Sequence, residues 1–595
     1  MPHQGKEGEL TIRIGAAAGD GIQSAGEMIM RVLSRSGLWI TTYNGNQSLI
    51  RGGHVWFHVH AAAWKTYSMG YGLDFLIPLT QLAYDQHYER LNSGGAVIYD
   101  PSSVKAHDLP AGVRDLSVPL GEVALRHDRR PIMRNTVALG ALCAAVGVDF
   151  DVLAKVIADQ FGRKDRSVSE NNVKAAQEGY DVVRQGAPPI RQLKYDYSSP
   201  KPVMTAGYAI SMGAVNAGCR FYSAYPMSPA SPIVHWMAAH ARKLGLTVFL
   251  AEDEISVMNA TVGAAYAGAR AMCATSGGGF SLMQEAVGEA AMTETPVVVV
   301  DVMRAGPSTG LPTKTSQGDL NMMLGISHDD FPRVILAPRN AEESFYTAER
   351  AFNLAETYQV PVIVLLDYAI GDGGYSTVEN LDFDFRIDRG KMLSAPGPGD
   401  HNGFWFRRFA LTSDNVSPRA VPGTPGMMFV AKTDEHDEWG HDMSDVLAGL
   451  NESAPLRERM QEKRMKKLEA IKGEMKAPEL FGPSGADITV ITWGSSANPS
   501  REAIRELHRK GVSVNALEFS DIFPLNEVEV TRILRTARTK VDVEVNYTGQ
   551  FAKLLARDTG VEMDSYLLKY DGEPIYPIEV EKHVLSLRKE VHAVA

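Results

Sequence analysis

The fold is decided by one stretch, FLAEDEISVMNATVGAAYAGARAMCATSGGGFSLM at residues 249–283. It opens at the end of a β-like run, Thr247–Leu250, and passes through the acidic triplet Glu252-Asp253-Glu254 into a helical stretch of small residues, 255–269. A second apolar run follows at 271–275, then the turn Ser276-Gly277-Gly278-Gly279 and another helical stretch at 281–292. Strand and helix alternating between turn signals predict parallel strands joined by helical crossovers. The same alternation continues through the run 297–302, the helical stretch 340–358 and the run 360–366. A doubly wound parallel sheet is expected, with the chemistry in the loops after Leu250, Thr275 and Val302, because ligands in such folds bind outside the carboxyl ends of strands.

Working outward, the N-terminal part repeats the strand–turn–helix theme. A β-like run at 10–14 meets the glycine-rich string GAAAGDG at 15–21, and an apolar helical pattern follows through Ile29, Met30 and Leu33. Another strand is expected at 96–99 and helices near 132–146 and 150–162. The proline-rich string APPIRQLKYDYSSPKP at 187–202 reads as a linker. Beyond the central sheet, residues 395–430 look irregular, and LRERMQEKRMKKLEAIKGEMK at 456–476 reads as a charged, mostly solvated helix. A last α/β unit is expected from strands at 488–492, 512–517 and 541–545 and helices at 500–510, 526–537 and 549–557. The multidomain α/β division is therefore 1–187, a linker at 188–202, 203–395, a connector at 396–483, and 484–595.

Composition bounds the function. A chain of 595 residues predicts about four domains. With 44% apolar and 22% charged residues, it is neither disordered nor fibrous. A net charge of −11 argues against nonspecific nucleic-acid binding. No apolar run approaches the roughly 20 residues of a membrane span, and the N-terminus lacks the apolar core of a signal peptide. The three cysteines, Cys143, Cys219 and Cys273, lie far apart with no CxxC pair. A four-cysteine iron–sulfur or zinc site within the chain is excluded on that ground, and a reducing cytoplasm is expected. All three read as buried small hydrophobes.

The motifs have competing readings. The triplet at 252–254 is either a helix cap or a carboxylate presented to a ligand. The glycines at 277–279 allow close backbone approach, but alone they say little. YPMSPAS at 225–231 holds Ser228 on a rigid loop between two prolines, which also suits a turn before a helix at 231–242. In RAGPSTG at 304–310, Arg304 either forks onto a carboxylate or phosphate, with Ser308 and Thr309 as further donors, or is an exposed arginine in a tight turn. Gly19-Asp20-Gly21 with Asn44 and Asn46 mimics a diphosphate- and magnesium-binding motif, but the asparagines are not adjacent. Gly371-Asp372-Gly373 has no paired asparagines behind it. Glu435-His436-Asp437-Glu438 with His441 lacks the HExxH spacing of a metal helix.

Three strings in order, YPMSPAS, the stretch at 249–283 and RAGPSTGLPTKTSQGDL at 304–320, resemble the α subunit of the 2-oxoacid:ferredoxin oxidoreductases. The resemblance continues through EHDEWGH at 435–441, VEVNYTGQ at 543–550 and YDGEPIYP at 570–577. The N-terminal segment, through its glycine-rich opening and NQSLIRGGH at 46–54, is similar to the family's γ subunit. The implied protein is a fused γ–α chain with a γ-type α/β domain, a pyrimidine-binding-type doubly wound domain and a transketolase C-terminal-like domain.

The resemblance implies oxidative decarboxylation of a 2-oxoacid to an acyl-CoA on thiamine diphosphate, with electrons passing to ferredoxin, or the reverse reductive carboxylation. Glu254 is the implied glutamate that shares a proton with N1′ of the aminopyrimidine, with Glu252 as the fallback. Ser228 stands where the family carries threonine and is implied, with Arg304 and Thr309, in binding the substrate carboxylate. Tyr225, Pro226, Gly277 and Gly278 are implied at the cofactor. Arg51, Gly52 and Gly53, together with the 15–21 loop, are implied in coenzyme A binding. A β subunit is implied to supply Mg²⁺, the diphosphate site and a [4Fe–4S] cluster within an (αβ)₂ assembly. The fused γ–α form implies 2-oxoglutarate as substrate, with pyruvate or a branched-chain 2-oxoacid as the alternative. The rivals are a self-contained transketolase- or decarboxylase-type thiamine enzyme and a non-catalytic nucleotide-binding scaffold of an electron-transfer complex.

Overall fold

The computed structural model describes residues 7–47, 53–128, 131–162, 166–185, 187–379, 381–397, 399–403, 405–442 and 450–594. Among them the chain is α/β, built on three large sheets. The first has eight strands in the order Arg114–Ser117, Leu91–Tyr99, Leu73–Pro78, Glu9–Ala17, His54–Ala62, Trp39–Gly45, Ser376–Thr377 and Val203–Met204. His54–Ala62 runs antiparallel to both neighbours, whereas Glu9–Ala17 pairs parallel with Leu73–Pro78. The run expected at 10–14 extends to Ala17, because the alanines continue the ladder to His54. Only the residues after it form the turn, where Gly19 and Gly21 adopt positive φ. One apolar face carries helices Ile22–Arg35 and Arg134–Val146 over Ile12, Ile14, Phe57 and Val59.

The second sheet is the doubly wound one. Its seven strands run in the order Asp521–Phe523, Val334–Leu336, Pro361–Asp367, Val297–Met303, Arg270–Thr275, Cys219–Ala224 and Thr247–Leu250. All neighbours pair parallel except the outermost, where Asp521–Phe523 is antiparallel to Val334–Leu336. The inner strands are buried on both faces, as their unbroken apolar runs require. One face packs helices Ala206–Asn216, Ser231–Leu244 and Ala341–Tyr358. The other packs Glu254–Tyr266 and Gly277–Met292 and shares its core with the C-terminal sheet through Trp493, Phe519 and Phe551. That third sheet runs Glu479–Phe481, Val514–Phe519, Ile488–Trp493, Thr539–Glu544 and Ser565–Leu568. The two are also bonded directly: Gln317 donates its backbone N–H to the Val545 carbonyl at 2.7 Å and accepts from Val545 N at 2.9 Å.

The charged run near 456–476 departs from expectation. It lies in helix Leu450–Glu474, and Met460, Lys463, Arg464, Lys467 and Ile471 form one buried stripe at helical spacing. The cations are tolerated because acids meet them. Lys463 and Lys467 both reach the fully buried Glu294, at 2.6 and 2.5 Å. Arg464 makes a two-pronged contact with Glu435, at 3.0 and 2.6 Å. EHDEWGH therefore serves this helix: Glu435 binds Arg457 and Arg464, and His436 is buried against Phe409.

Burial opposes ionisation of Glu294, but Lys463, Lys467 and Arg408 outweigh it and hold the carboxyl well below its usual range. A depressed carboxyl stabilises the fold above its ordinary value of 4.5, and that contribution is lost as pH falls. Replacing Glu294 by Gln strands two buried lysines. It is expected to cost about 3–5 kcal/mol in denaturant unfolding at neutral pH and to flatten the loss of stability on acidification.

Candidate functional site

The carboxyl edge of the seven-stranded sheet gathers the motifs that the sequence scatters. Cys219–Ala224 leads into the loop holding Ser228, and Thr247–Leu250 into the acidic triplet. Arg270–Thr275 leads into the glycine run, and Val297–Met303 into Arg304.

Both readings of the triplet are realised, by different residues. Asp253 is the helix cap, its side chain accepting from Ser256 N at 2.8 Å. Glu252 is exposed and accepts from the Ser256 hydroxyl at 2.7 Å. Glu254, the first helical residue, is 3% exposed, and its Oε1 has no hydrogen-bond partner. A buried carboxylate oxygen without a donor is costly in a finished core, so this atom marks a place where a donor belongs.

The glycine run is the first turn of helix Gly277–Met292, not a loop before it. A Cβ on Gly277 would lie 2.4 Å from Asp319 Oδ2, and one on Gly279 2.1 Å from Thr275 Oγ1 and 2.6 Å from Glu254 Oε1. Gly278 differs, facing open space with the Ser308 carbonyl nearest at 3.8 Å. Two glycines thus admit the acids, and the third leaves the helix N-terminus uncovered, where backbone N–H groups favour an anion or acceptor. Ser276 adds a buried hydroxyl oxygen without a partner.

Arg304 is not the exposed arginine of a tight turn. It is 9% exposed, donates from Nη1 to the Ser228 carbonyl at 2.6 Å, and lies 3.3 Å from the Met227 sulfur. Its Nε has no partner. The contact brings the two proline-bracketed and glycine-rich loops together, so Ser228 and Arg304 are neighbours. The Ser228, Tyr225, Pro226 and Thr309 side chains are exposed beside them, with Gly310 at positive φ closing the Thr309 turn.

Two acids here escaped the sequence reading. Asp301 is fully buried at the end of its strand, and Asp319 precedes helix Leu320–Leu324. Neither oxygen of Asp301 has a hydrogen-bond partner, and Asp319 Oδ2 has none either. Burial pushes Asp301 well above the carboxylate range and Asp319 up to about 6. The signal was present as an acid inside the run VVVVDV, since unpaired acids are rarely fully buried.

On the first sheet, Arg51 and Gly52 lie outside the described residues. Gly53 has φ 72°, and its carbonyl accepts from Ala18 N at 3.2 Å, which ties the segment to the glycine-rich turn. Asp20 pairs with Arg134 at 3.0 Å, and the Asn44 amide donates to Gln23. Cys143, Cys219 and Cys273 are buried free thiols, which burial raises to about 12.

The glycines give a paired test. Gly279→Ala is expected to lower stability by about 1–3 kcal/mol in thermal unfolding, because its methyl meets Thr275 and Glu254. Gly278→Ala, facing open space, is expected to stay within about 0.5 kcal/mol of the parent.

A family model described as "Pyruvate flavodoxin/ferredoxin oxidoreductase, thiamine diP-bdg" matches residues 212–451, and one described as "Pyruvate ferredoxin/flavodoxin oxidoreductase" matches 11–182. The chain is 31% identical to 2-oxoacid:ferredoxin oxidoreductase 2, subunit alpha, of Aeropyrum pernix, over 98% of both chains. It is 30% identical to 2-oxoglutarate oxidoreductase subunit KorA of Mycobacterium tuberculosis, over 93% of this chain and 88% of that one. Among solved structures, the 2-oxoglutarate:ferredoxin oxidoreductase from Magnetococcus marinus, with 2-oxoglutarate, coenzyme A and succinyl-CoA bound, superposes with a TM-score of 0.89 at 32% identity, covering 98% of this chain and 100% of that one. With a thiamine-diphosphate-binding model seated on the very sheet whose edge gathers Glu254, Ser228 and Arg304, this chain belongs to the 2-oxoacid:ferredoxin oxidoreductases as an α subunit with a fused γ-type N-terminal domain.

Proposed function

We propose that this α subunit, with a β subunit, converts 2-oxoglutarate and coenzyme A to succinyl-CoA and CO₂, passing two electrons to ferredoxin, or runs the reverse carboxylation. The observation that carries the reading is the pairing of two incompletely satisfied buried groups, Glu254 Oε1 and Arg304 Nε, at one sheet edge. Thiamine diphosphate, when bound, supplies the nucleophilic thiazolium carbon and the electron sink for decarboxylation. The residues fit its aminopyrimidine: Glu254 offers an unpartnered oxygen, and Gly278 leaves room above the helix N-terminus. Glu254 would hold or release the proton at N1′, with Tyr225, Pro226 and Gly277 shaping the surroundings.

Arg304 and the hydroxyls of Ser228 and Thr309 would bind and orient the 2-oxoacid carboxylate, a task that suits a fixed guanidinium fork. Coenzyme A would be met by the Arg51-Gly52-Gly53 segment and the turn before helix Ile22–Arg35. Similarity to KorA and to the Magnetococcus marinus enzyme favours 2-oxoglutarate over pyruvate or a branched-chain 2-oxoacid. The scaffold reading gives no use to the acid and arginine at this edge.

The β subunit is assigned the diphosphate and Mg²⁺ sites and the [4Fe–4S] cluster, because the three cysteines of this chain are buried apart from one another. Phe249, Leu250, Ile255 and Leu282 lie exposed around the edge, with Leu250 at 59%, which suits a surface covered by a partner in an (αβ)₂ assembly. The working division is 1–187 for coenzyme A, 188–202 as linker, 203–395 for the pyrimidine and substrate, 396–483 as connector and 484–595 as the C-terminal unit. A cytoplasmic setting fits free thiols, and among the described residues no helix is long and apolar enough to cross a membrane.

In the reconstituted complex, Glu254→Gln is expected to lower turnover by about a hundredfold or more while assembly persists, measured as 2-oxoglutarate-dependent ferredoxin reduction. Near-parental turnover overturns the assignment. Arg304→Ala is expected to raise the KM for 2-oxoglutarate by roughly tenfold to a hundredfold with a smaller effect on kcat. An unchanged KM places the carboxylate anchor elsewhere.

A further inference from the structure

A cavity of about 680 Å³ lies between the first sheet and the C-terminal unit, with Arg13 and Trp56 on one side and Lys569, Glu573 and Tyr576 on the other. The second wall comes largely from the string YDGEPIYP at 570–577, to which the proposed function gives no task. The cavity is separate from the glycine-rich turn. Arg13 alternates with Ile12 and Ile14, so it faces away from helix Ile22–Arg35. Gly72 and Leu91, also in the wall, stand at the starting ends of strands Leu73–Pro78 and Leu91–Tyr99. The turn instead follows the finishing end of Glu9–Ala17, which runs parallel to Leu73–Pro78.

Arg13 is 2% exposed, yet no ion pair joins it to an acid among the described residues. Its guanidinium stacks on the Trp56 ring at 3.9 Å and meets His87 Nδ1 at 3.2 Å and His58 Nδ1 at 3.5 Å, while its Nε has no partner. A guanidinium can only donate, so both imidazoles accept and bring no negative charge. Their other nitrogens are used as well, His58 Nε2 on the Met69 carbonyl and His87 Nε2 on His54 Nε2, each at 2.8 Å. Burial lowers the Arg13 guanidinium only to about 10, so it is cationic at neutral pH. A buried cation without an acid is costly, which makes the cavity beside it a place for an anion. The acids in the wall are committed elsewhere. Lys569 takes Glu579 at 2.8 Å and Asp571 at 3.7 Å, and Lys314 takes one oxygen of Glu573. The other, Glu573 Oε2, is buried without a donor. Arg90, over the Tyr576 ring at 5.3 Å, and Lys582 line the cavity as exposed cations without an ion pair among the described residues, and the exposed Glu89 beside them meets only the Tyr88 hydroxyl, at 3.5 Å.

We propose that this cavity binds a small organic phosphate bearing hydroxyl or amino groups, its phosphate held by Arg90 and Lys582 over the buried charge of Arg13 and one of its donors turned to Glu573. The planar fork of Arg13 is spent on the two imidazoles, and the remaining cations approach singly from different elements. That arrangement suits a tetrahedral phosphoryl group better than a flat carboxylate. The free oxygen of Glu573 calls for an N–H or O–H group on the organic part. The occupant touches both the first sheet and the C-terminal unit, so its binding stabilises their contact.

The test uses the reconstituted complex saturated with coenzyme A, with ADP and ribose 5-phosphate as probes, read by calorimetric titration and thermal unfolding. At least one probe is expected to fill one site per chain and to raise the Tm. The double variant Arg90→Ala/Lys582→Ala, which removes two exposed side chains, is expected to weaken that binding about tenfold or more, with kcat and the KM for 2-oxoglutarate within about twofold of the parent. Inorganic phosphate, lacking the organic part, is expected to bind about tenfold more weakly than the better probe. The proposal is overturned by no saturable binding of either probe, by parental binding in the double variant, or by inorganic phosphate matching both probes. Binding that appears only when coenzyme A is left out also overturns it, because the probe then occupies the coenzyme A site.

Discussion

Parallel pairing is the constraint on which the rest of the structure depends. Neighbouring parallel strands cannot be joined by a hairpin, so each must be followed by a crossover, and every loop after a strand emerges on the same edge. In the seven-stranded sheet this places the ends of Cys219–Ala224, Thr247–Leu250, Arg270–Thr275 and Val297–Met303 side by side. Residues up to about eighty positions apart then meet, as Ser228 and Arg304 do. The buried strands exact a second condition. They must be apolar on both faces, so a polar group at their ends is desolvated and depends on a specific partner.

The site follows from that second condition. Glu254, Asp301 and Arg304 are buried at the edge, and each is left partly unpaired. Glu254 has an oxygen without a donor, Arg304 has an Nε without an acceptor, and neither oxygen of Asp301 has a partner. Two structural clusters elsewhere satisfy their buried acids. Glu294 has two lysines, and Glu356 binds Arg270, Arg389 and Arg419. The acids of these clusters meet cations, whereas Glu254 Oε1 and both Asp301 oxygens at the sheet edge meet no donor. Under the proposed function, the unpaired atoms of Glu254 and Arg304 are the ones that would meet an aminopyrimidine ring and a substrate.

The glycine helix shows how closely fold and chemistry are interlocked. Gly277 and Gly279 yield space to Asp319 and Glu254, so their small size serves side chains of the same protein. Gly278 alone is open toward the region beneath the Ser308 carbonyl. The loop from Arg304 onward is held on its far side by Gln317, whose amide donates to the Trp493 carbonyl at 2.8 Å. The C-terminal sheet therefore fixes the geometry of a loop that belongs to the central one.

Much of this was legible in the sequence. The alternation at 249–283 determined the doubly wound sheet, because period and turn chemistry are local properties. The three ordered motifs determined the family, and the isolated cysteines pointed to a partner for electron transfer. What the sequence left open depended on distance. The triplet could not be divided into one cap and one ligand-facing acid until Asp253 was seen bonded to Ser256. The charged helix read as solvated because Glu294 and Glu435, which bury its cations, lie up to 173 residues away. Asp301 was legible only as an acid inside the run VVVVDV, and Asp319 carried no signal, because the space it takes beside Gly277 is created only by tertiary folding.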